Sequence, residues 1–84
     1  MRFKVEIDIM PLDALLDPQG KAVSQGMINI DLSEITDVRI GRHIQLFVEA
    51  TEKSVAIAKV EEACEKLLVN QVMEQYTYTI QVMD

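Results

Sequence analysis

Leu15-Leu16-Asp17-Pro18-Gln19-Gly20-Lys21-Ala22-Val23 contains a helix start that orders the rest of the chain. Asp17 is a preferred N-cap, because its carboxylate can accept hydrogen bonds from the unpaired amides of the first turn. Pro18 then occupies the first helical position, where its missing N–H costs nothing and its fixed φ suits a helix. The cap's negative charge faces the positive end of the helix dipole. Gly20 is the anomaly. A glycine inside a helix costs about 0.5–1 kcal/mol relative to alanine, so its presence predicts close approach of another part of the chain.

The stretch before this start has a period of two. Phe3, Val5, Ile7 and Ile9 share one face, and Arg2, Lys4, Glu6 and Asp8 the other, which predicts a strand over Arg2–Met10 that Pro11 ends. After the start, a helix is expected over Pro18–Asn29, with Val23, Met27 and Ile30 as its apolar stripe. Asp37–Ile40 reads as a second strand, Gly41-Arg42 as a two-residue hairpin turn, and His43–Ala50 as a third strand. Thr51 is placed to cap a second helix over Glu52–Val69, with Ala56, Val60, Ala63, Cys64, Leu67 and Leu68 on its apolar side. Glu62 and Lys66 form a favourable i, i+4 pair, and Asn70 is placed as a left-handed C-cap. Tyr76–Met83 alternates again and closes the chain as a strand.

The expected order is therefore β-α-β-β-α-β. This is a ferredoxin-like α+β fold, an antiparallel sheet with two helices on one face, formed by residues 1–84 as a single domain. Such an arrangement leaves one sheet face bare. Phe47 and Met83 fall on it among charged and polar groups, which reads as an interface rather than a second core.

Composition narrows the function classes. The chain has 84 residues, of which 49% are hydrophobic, enough to fold but with a limited core, so pairing with copies of itself is expected. A net charge of −6 makes nucleic acid a poor partner, since affinity there rests on cations neutralising phosphates. The RNA-recognition fold shares the element order but needs several exposed aromatics, and Phe47 alone occupies the open face. No apolar run is long enough to span a bilayer. The charged start is no signal peptide, and the single Cys64 cannot form an internal disulfide, so a cytoplasmic protein is expected.

Reactive groups are sparse. Cys64 lies on the apolar side of its helix, where a small buried thiol is expected, and His43 follows the turn on the non-helical face. No metal-ligand spacing occurs, Gly41 stands alone rather than in a phosphate loop, and Pro11–Leu16 lacks the arginine that an acylphosphatase-like anion cradle needs. No catalytic residue, metal ligand or cofactor ligand is therefore nominated.

Several segments together resemble the small subunit (PurS) family of multi-subunit phosphoribosylformylglycinamidine synthase. They are Leu16–Val23, Val38-Arg39-Ile40-Gly41-Arg42 with Ile44 and Leu46, and Cys64-Glu65-Lys66-Leu67-Leu68 with Asn70, Val72, Glu74 and Tyr76. The resemblance covers essentially the whole chain. It implies a non-catalytic subunit in purine biosynthesis that forms a homodimer or tetramer. It also implies a bridge between a glutaminase subunit and a large ATP-dependent synthetase subunit, supporting ammonia transfer between them. ATP, magnesium and glutamine would then be handled by those partners, and this chain would bind no cofactor. The matching positions make Asp17, Pro18, Gln19, Gly20 and Lys21, and then Arg39, Gly41 and Arg42, the candidate partner interface. Capping explains Asp17 and Pro18, and turn geometry Gly41, whereas the two arginines carry no evident structural duty. The family usually has Leu-Gly after the first helix, where this chain has Ile30-Asp31, so the resemblance leaves open how the first helix ends. A metabolite-binding ACT-like regulatory dimer has the same element order and is the alternative, although the chain has few glycines for such ligand loops.

Overall fold

A computed structural model describes residues 1–83. Three strands, β1 (Arg2–Pro11), β2 (Arg42–Glu49) and β3 (Glu74–Met83), form one antiparallel sheet in the order β2-β1-β3. Two helices, α1 (Pro18–Asn29) and α2 (Lys53–Ala63), connect them, and α2 runs on into a π-helical turn over Cys64–Leu68. The element order is thus β-α-β-α-β.

The period of two in β1 is expressed fully. Phe3, Val5, Ile7 and Ile9 are all buried, because β1 is central and α2 covers that face. In register beside them, Ile44 and Leu46 on β2 and Tyr78 and Ile80 on β3 complete the inner face. Ala56 and Val60 on α2 and Cys64 at the start of the π turn recur every four residues and close the core. Burying these side chains is the main stabilising term in so small a domain.

The expected Asp37–Ile40 strand and Gly41-Arg42 hairpin are absent. The amides that a ladder would use are taken by side chains of α1 and its cap. Val38 N donates to Ser24 Oγ at 3.1 Å, and Ile40 N donates to Asp17 Oδ2 at 2.8 Å. Gly41 has no positive φ, so it makes no type II′ turn. It is glycine because a Cβ there would collide with the Ile9 carbonyl and the Met10 sulfur. The sheet consequently has three strands rather than four.

With that segment bound along it, α1 makes no substantial packing contact with the sheet, and only α2 covers the inner face. The molecule is accordingly long and thin, 52 × 28 × 14 Å. Of the expected apolar stripe, Val23 and Ile30 stay exposed in the single chain. Three smaller expectations also change. Glu52 rather than Thr51 is the N-cap of α2, without a side-chain bond. Leu67 points outward, 82% exposed, because the wider π turn rotates the apolar side after Cys64. Asn70 is not left-handed; its Oδ1 instead accepts from the amides of Val72 and Met73.

The first helix does end where the glycine pattern is missing. Asp31 adopts the left-handed conformation, φ 68°. Leu32 N donates to the Met27 carbonyl at 2.8 Å and Asp31 N to the Ile28 carbonyl at 3.1 Å, the two bonds of a Schellman cap. Aspartate there is strained and places a negative charge at the negative end of the dipole. Asp31→Gly is therefore expected to stabilise the chain by about 1 kcal/mol. Thermal unfolding should register this as a rise in Tm of about 4–8 °C.

Candidate functional site

Because β1 is antiparallel to both neighbours, its end meets the starts of β2 and β3. Ile9 pairs with Arg42, and Pro11 with Glu74. The loop to α1 leaves from this same end, so three segments far apart in sequence converge there. Between them lies an open cleft of about 390 Å³. Leu15, Leu16, Asp17, Pro18 and Gln19 form one wall, Ile40, Gly41 and Arg42 the second, and Asn70, Met73 and Glu74 the third.

Asp17 holds the first two walls together. Its Oδ1 accepts from Gly20 N at 3.1 Å while its Oδ2 accepts from Ile40 N. The Ile40 amide, and then the Gly20 amide, hold its carboxyl below the usual carboxylate range. Gly20 is buried behind it, where a Cβ would collide with the Val38 carbonyl, which is the close approach its position implied.

The arginines do carry structural duties, contrary to the expectation from sequence. Arg39 donates through Nη1 to the Leu15 carbonyl at 3.1 Å and through Nη2 to the Leu12 carbonyl at 2.9 Å, pinning the loop before α1. Arg42 Nη2 donates to the Leu68 carbonyl at 3.1 Å and to Glu74 Oε1 at 2.6 Å, joining the second wall to the third. Glu74 Oε1 also accepts from Asn70 N at 2.9 Å; that amide, with Arg42 beside it, keeps the Glu74 carboxyl below its usual range. Leu12 N donates to the Met73 carbonyl at 2.9 Å and closes the base.

Of the residues nominated from sequence, Asp17, Pro18, Gln19, Gly41 and Arg42 therefore line one cleft, although they come from two separated segments. Lys21 and Arg39 line an adjoining depression of about 360 Å³ on the other side of Leu15, Leu16 and Asp17. Gly20 supports both from beneath. Sequence reasoning missed the apolar contributors Leu15, Leu16 and Met73, and the third wall. The opposite charges of Arg42 and Glu74 were the available signal, but only strand register shows that they meet.

The charged groups of the cleft are engaged within the chain. Both Asp17 oxygens accept backbone amides, and Arg42 and Glu74 neutralise each other, so neither carboxylate is poised as a general acid or base. Cys64 is buried within the core, and burial pushes its thiol up, away from nucleophilic thiolate. His43 lies on the opposite, open face of the sheet, with Nδ1 2.6 Å from Asp8 Oδ1 and Nε2 3.6 Å from Glu6 Oε1; the hydrogen bond to Asp8 raises its pKa. Among the described residues, no three metal-ligating side chains cluster, and no helix is long and apolar enough to cross a membrane. By contrast, Leu16 is 75% exposed and Met73 52% exposed at the cleft rim. The rim is thus apolar and open, beside charged groups that are bonded within the chain.

Residues 4–82 match the family model described as PurS, phosphoribosylformylglycinamidine (FGAM) synthase. The phosphoribosylformylglycinamidine synthase subunit PurS of Bacillus subtilis is 37% identical over 79 residues, covering 94% of this chain and 93% of that protein. The solved structure of B. subtilis PurS superposes with a TM-score of 0.84 at 36% identity, over 95% of this chain and 99% of that one. A chain in the structure of PurLQS from Thermotoga maritima superposes with a TM-score of 0.89 at 33% identity, over 96% and 99%.

Proposed function

The chain belongs to the PurS family of phosphoribosylformylglycinamidine synthase subunits, in purine biosynthesis, and from that premise we propose that it works as the non-catalytic bridge of its complex. It joins a glutaminase subunit to the large ATP-dependent synthetase subunit, pairs with a second copy of itself, and acts in the cytoplasm. ATP, magnesium and glutamine are used by the partner subunits. The cleft between α1 and the starts of β2 and β3 is the partner contact, with Asp17, Pro18, Gln19, Gly41 and Arg42 in its walls and Gly20, Lys21 and Arg39 supporting or flanking it.

The observation that carries this reading is the cleft itself: an exposed apolar rim beside charged groups, Asp17, Arg42 and Glu74, that are bonded within the chain. Such a surface binds another protein without offering a reactive group. The chemistry of ammonia explains why a complex needs such a subunit. Ammonia freed from glutamine is protonated in neutral water, and ammonium has no lone pair with which to attack. A docked assembly keeps the nucleophile dry, neutral and close to the activated amide.

Leu16→Asp tests this reading. A carboxylate at the rim must be desolvated on docking, so the affinity for the partner subunits is expected to fall at least about tenfold. The complex should then elute as separate components, and glutamine-dependent amidine formation should fall. Activity with added ammonia, which bypasses the assembly, should persist. Unimpaired coupling of glutamine hydrolysis to amidine formation without this chain would overturn the proposal.

A further inference from the structure

We propose that the π turn at the end of α2 presents Leu67 to the partner subunit that docks in the cleft; this rests on the docking reading of the proposed function. The turn carries one residue more than an α-helix needs. Val69 N donates to the Cys64 carbonyl, five residues back, at 3.0 Å, where an α-helix bonds four back. The surplus residue can be identified. Without Leu67, Leu68 and Val69 follow Cys64 at i+3 and i+4, and with Ala56 and Val60 they make an unbroken α-helical stripe. Those are the side chains the core uses: Cys64 and Val69 are buried, and Leu68 packs against them. Lys66, with Nζ 2.9 Å from Glu62 Oε1, keeps its i, i+4 partner in either case. Leu67 alone has no place in the α pattern and none in the core.

A residue inserted only to widen the helix would as well be polar. This one is a leucine. Leu67, Val72 and Leu16, at 82%, 80% and 75%, are the most exposed large apolar side chains among the described residues, and all three border the same cleft. Leu16 lines it directly. Val72 lies between the wall residues Asn70 and Met73, and its amide donates to Asn70 Oδ1 at 3.0 Å. The turn that bears Leu67 is fastened to the cleft by Arg42, which donates to the Leu68 carbonyl, and by Glu74, which accepts from both Arg42 and Asn70 N. The second and third walls thus fix the turn, and a body seated in the cleft against Leu16 and Met73 continues over it. Because Arg42 and Glu74 neutralise each other, the surface selects by shape and apolar area. Its occupant is a protein face with an apolar hollow, on the same partner subunit that fills the cleft.

Titration of the fluorescently labelled full chain with the purified glutaminase and synthetase subunits tests this, using Leu67→Ser, Leu67→Met and a deletion of Leu67. Leu67→Ser keeps the length of the turn and removes the apolar contact, so the Kd for the partner is expected to rise at least about tenfold. Its Tm and self-association should stay near wild type, because the side chain is exposed and outside the core. Leu67→Met keeps the volume and should bind like wild type. The deletion makes the Val69–Cys64 bond an α-helical one, so its Tm should match or exceed wild type while its binding weakens as in Leu67→Ser. Wild-type affinity in Leu67→Ser would overturn the contact, and a weakened Leu16→Asp beside it would leave the cleft reading standing. Loss of self-association in place of partner binding would make a second copy the occupant and equally overturn it. A deletion variant that unfolds would show that Leu67 is not the surplus residue. A wild-type chain that binds neither subunit would overturn the cleft reading and this inference together.

Discussion

Gly20→Ala is expected to be among the most damaging small substitutions in the chain. In an isolated helix the change would stabilise, since alanine is the better helix former. Here the added methyl meets the Val38 carbonyl and the Asp17 carboxylate. The carbonyl is backbone and cannot rotate away. Either α1 separates from the Val38–Ile40 segment, or the Asp17 bonds to Gly20 and Ile40 break. Overpacking of this kind costs about 2–3 kcal/mol, and thermal unfolding should show a fall in Tm of about 10–20 °C for a domain of this size. The same movement opens the cleft, so binding to the partner subunits should weaken even below the new Tm. A Tm at or above wild type would show that the segment does not rest on α1 as described.

The second large effect lies at the centre of the sheet. Ile7 is fully buried between Ile44 and Tyr78 of the flanking strands, beneath α2. Ile7→Ala removes buried methylenes and leaves a cavity that a paired central strand cannot close, at about 4 kcal/mol. At roughly 0.05–0.15 kcal/mol per residue, a chain of this length has only about 4–12 kcal/mol in total. The variant should therefore keep only about 0–8 kcal/mol and lose about 16–32 °C in Tm, as thermal unfolding followed by circular dichroism would show. Ile7→Val removes one methylene and should cost about 1 kcal/mol. Comparable loss in both variants would mean that the site tolerates no change in shape, rather than that burial dominates there.

The difference between these two sites marks what could be read from sequence. Ile7 was legible because alternation in β1 is a property of consecutive residues, and its apolar face is unbroken from Phe3 to Ile9. The Asp17-Pro18 start of α1 was legible for the same reason: a cap is satisfied within its own first turn. Gly20 was legible only as an anomaly. Its position implied a close neighbour but not which one, since Val38 is reached through a loop. The stretch Asp37–Ile40 misled because it alternates like a strand, yet its amides are claimed by Asp17 and Ser24 before a ladder can form. Arg39 and Arg42 misled in the opposite way. Nothing near them in the chain needs a cation, and their acceptors at Leu12, Leu15, Leu68 and Glu74 come close only when the strands pair.

Taken by itself, the order of residues determined the faces of β1 and β3, the start of α1, the buried side of α2 and the family to which the chain belongs. Tertiary structure decided that the sheet has three strands, that α1 stands clear of it, and that residues 15–19, 40–42 and 70–74 share one cleft. Periodicity and capping depend on neighbours within a turn or two of backbone. A carbonyl, amide or carboxylate left free by one segment finds its partner only where the folded chain brings another segment within hydrogen-bonding distance.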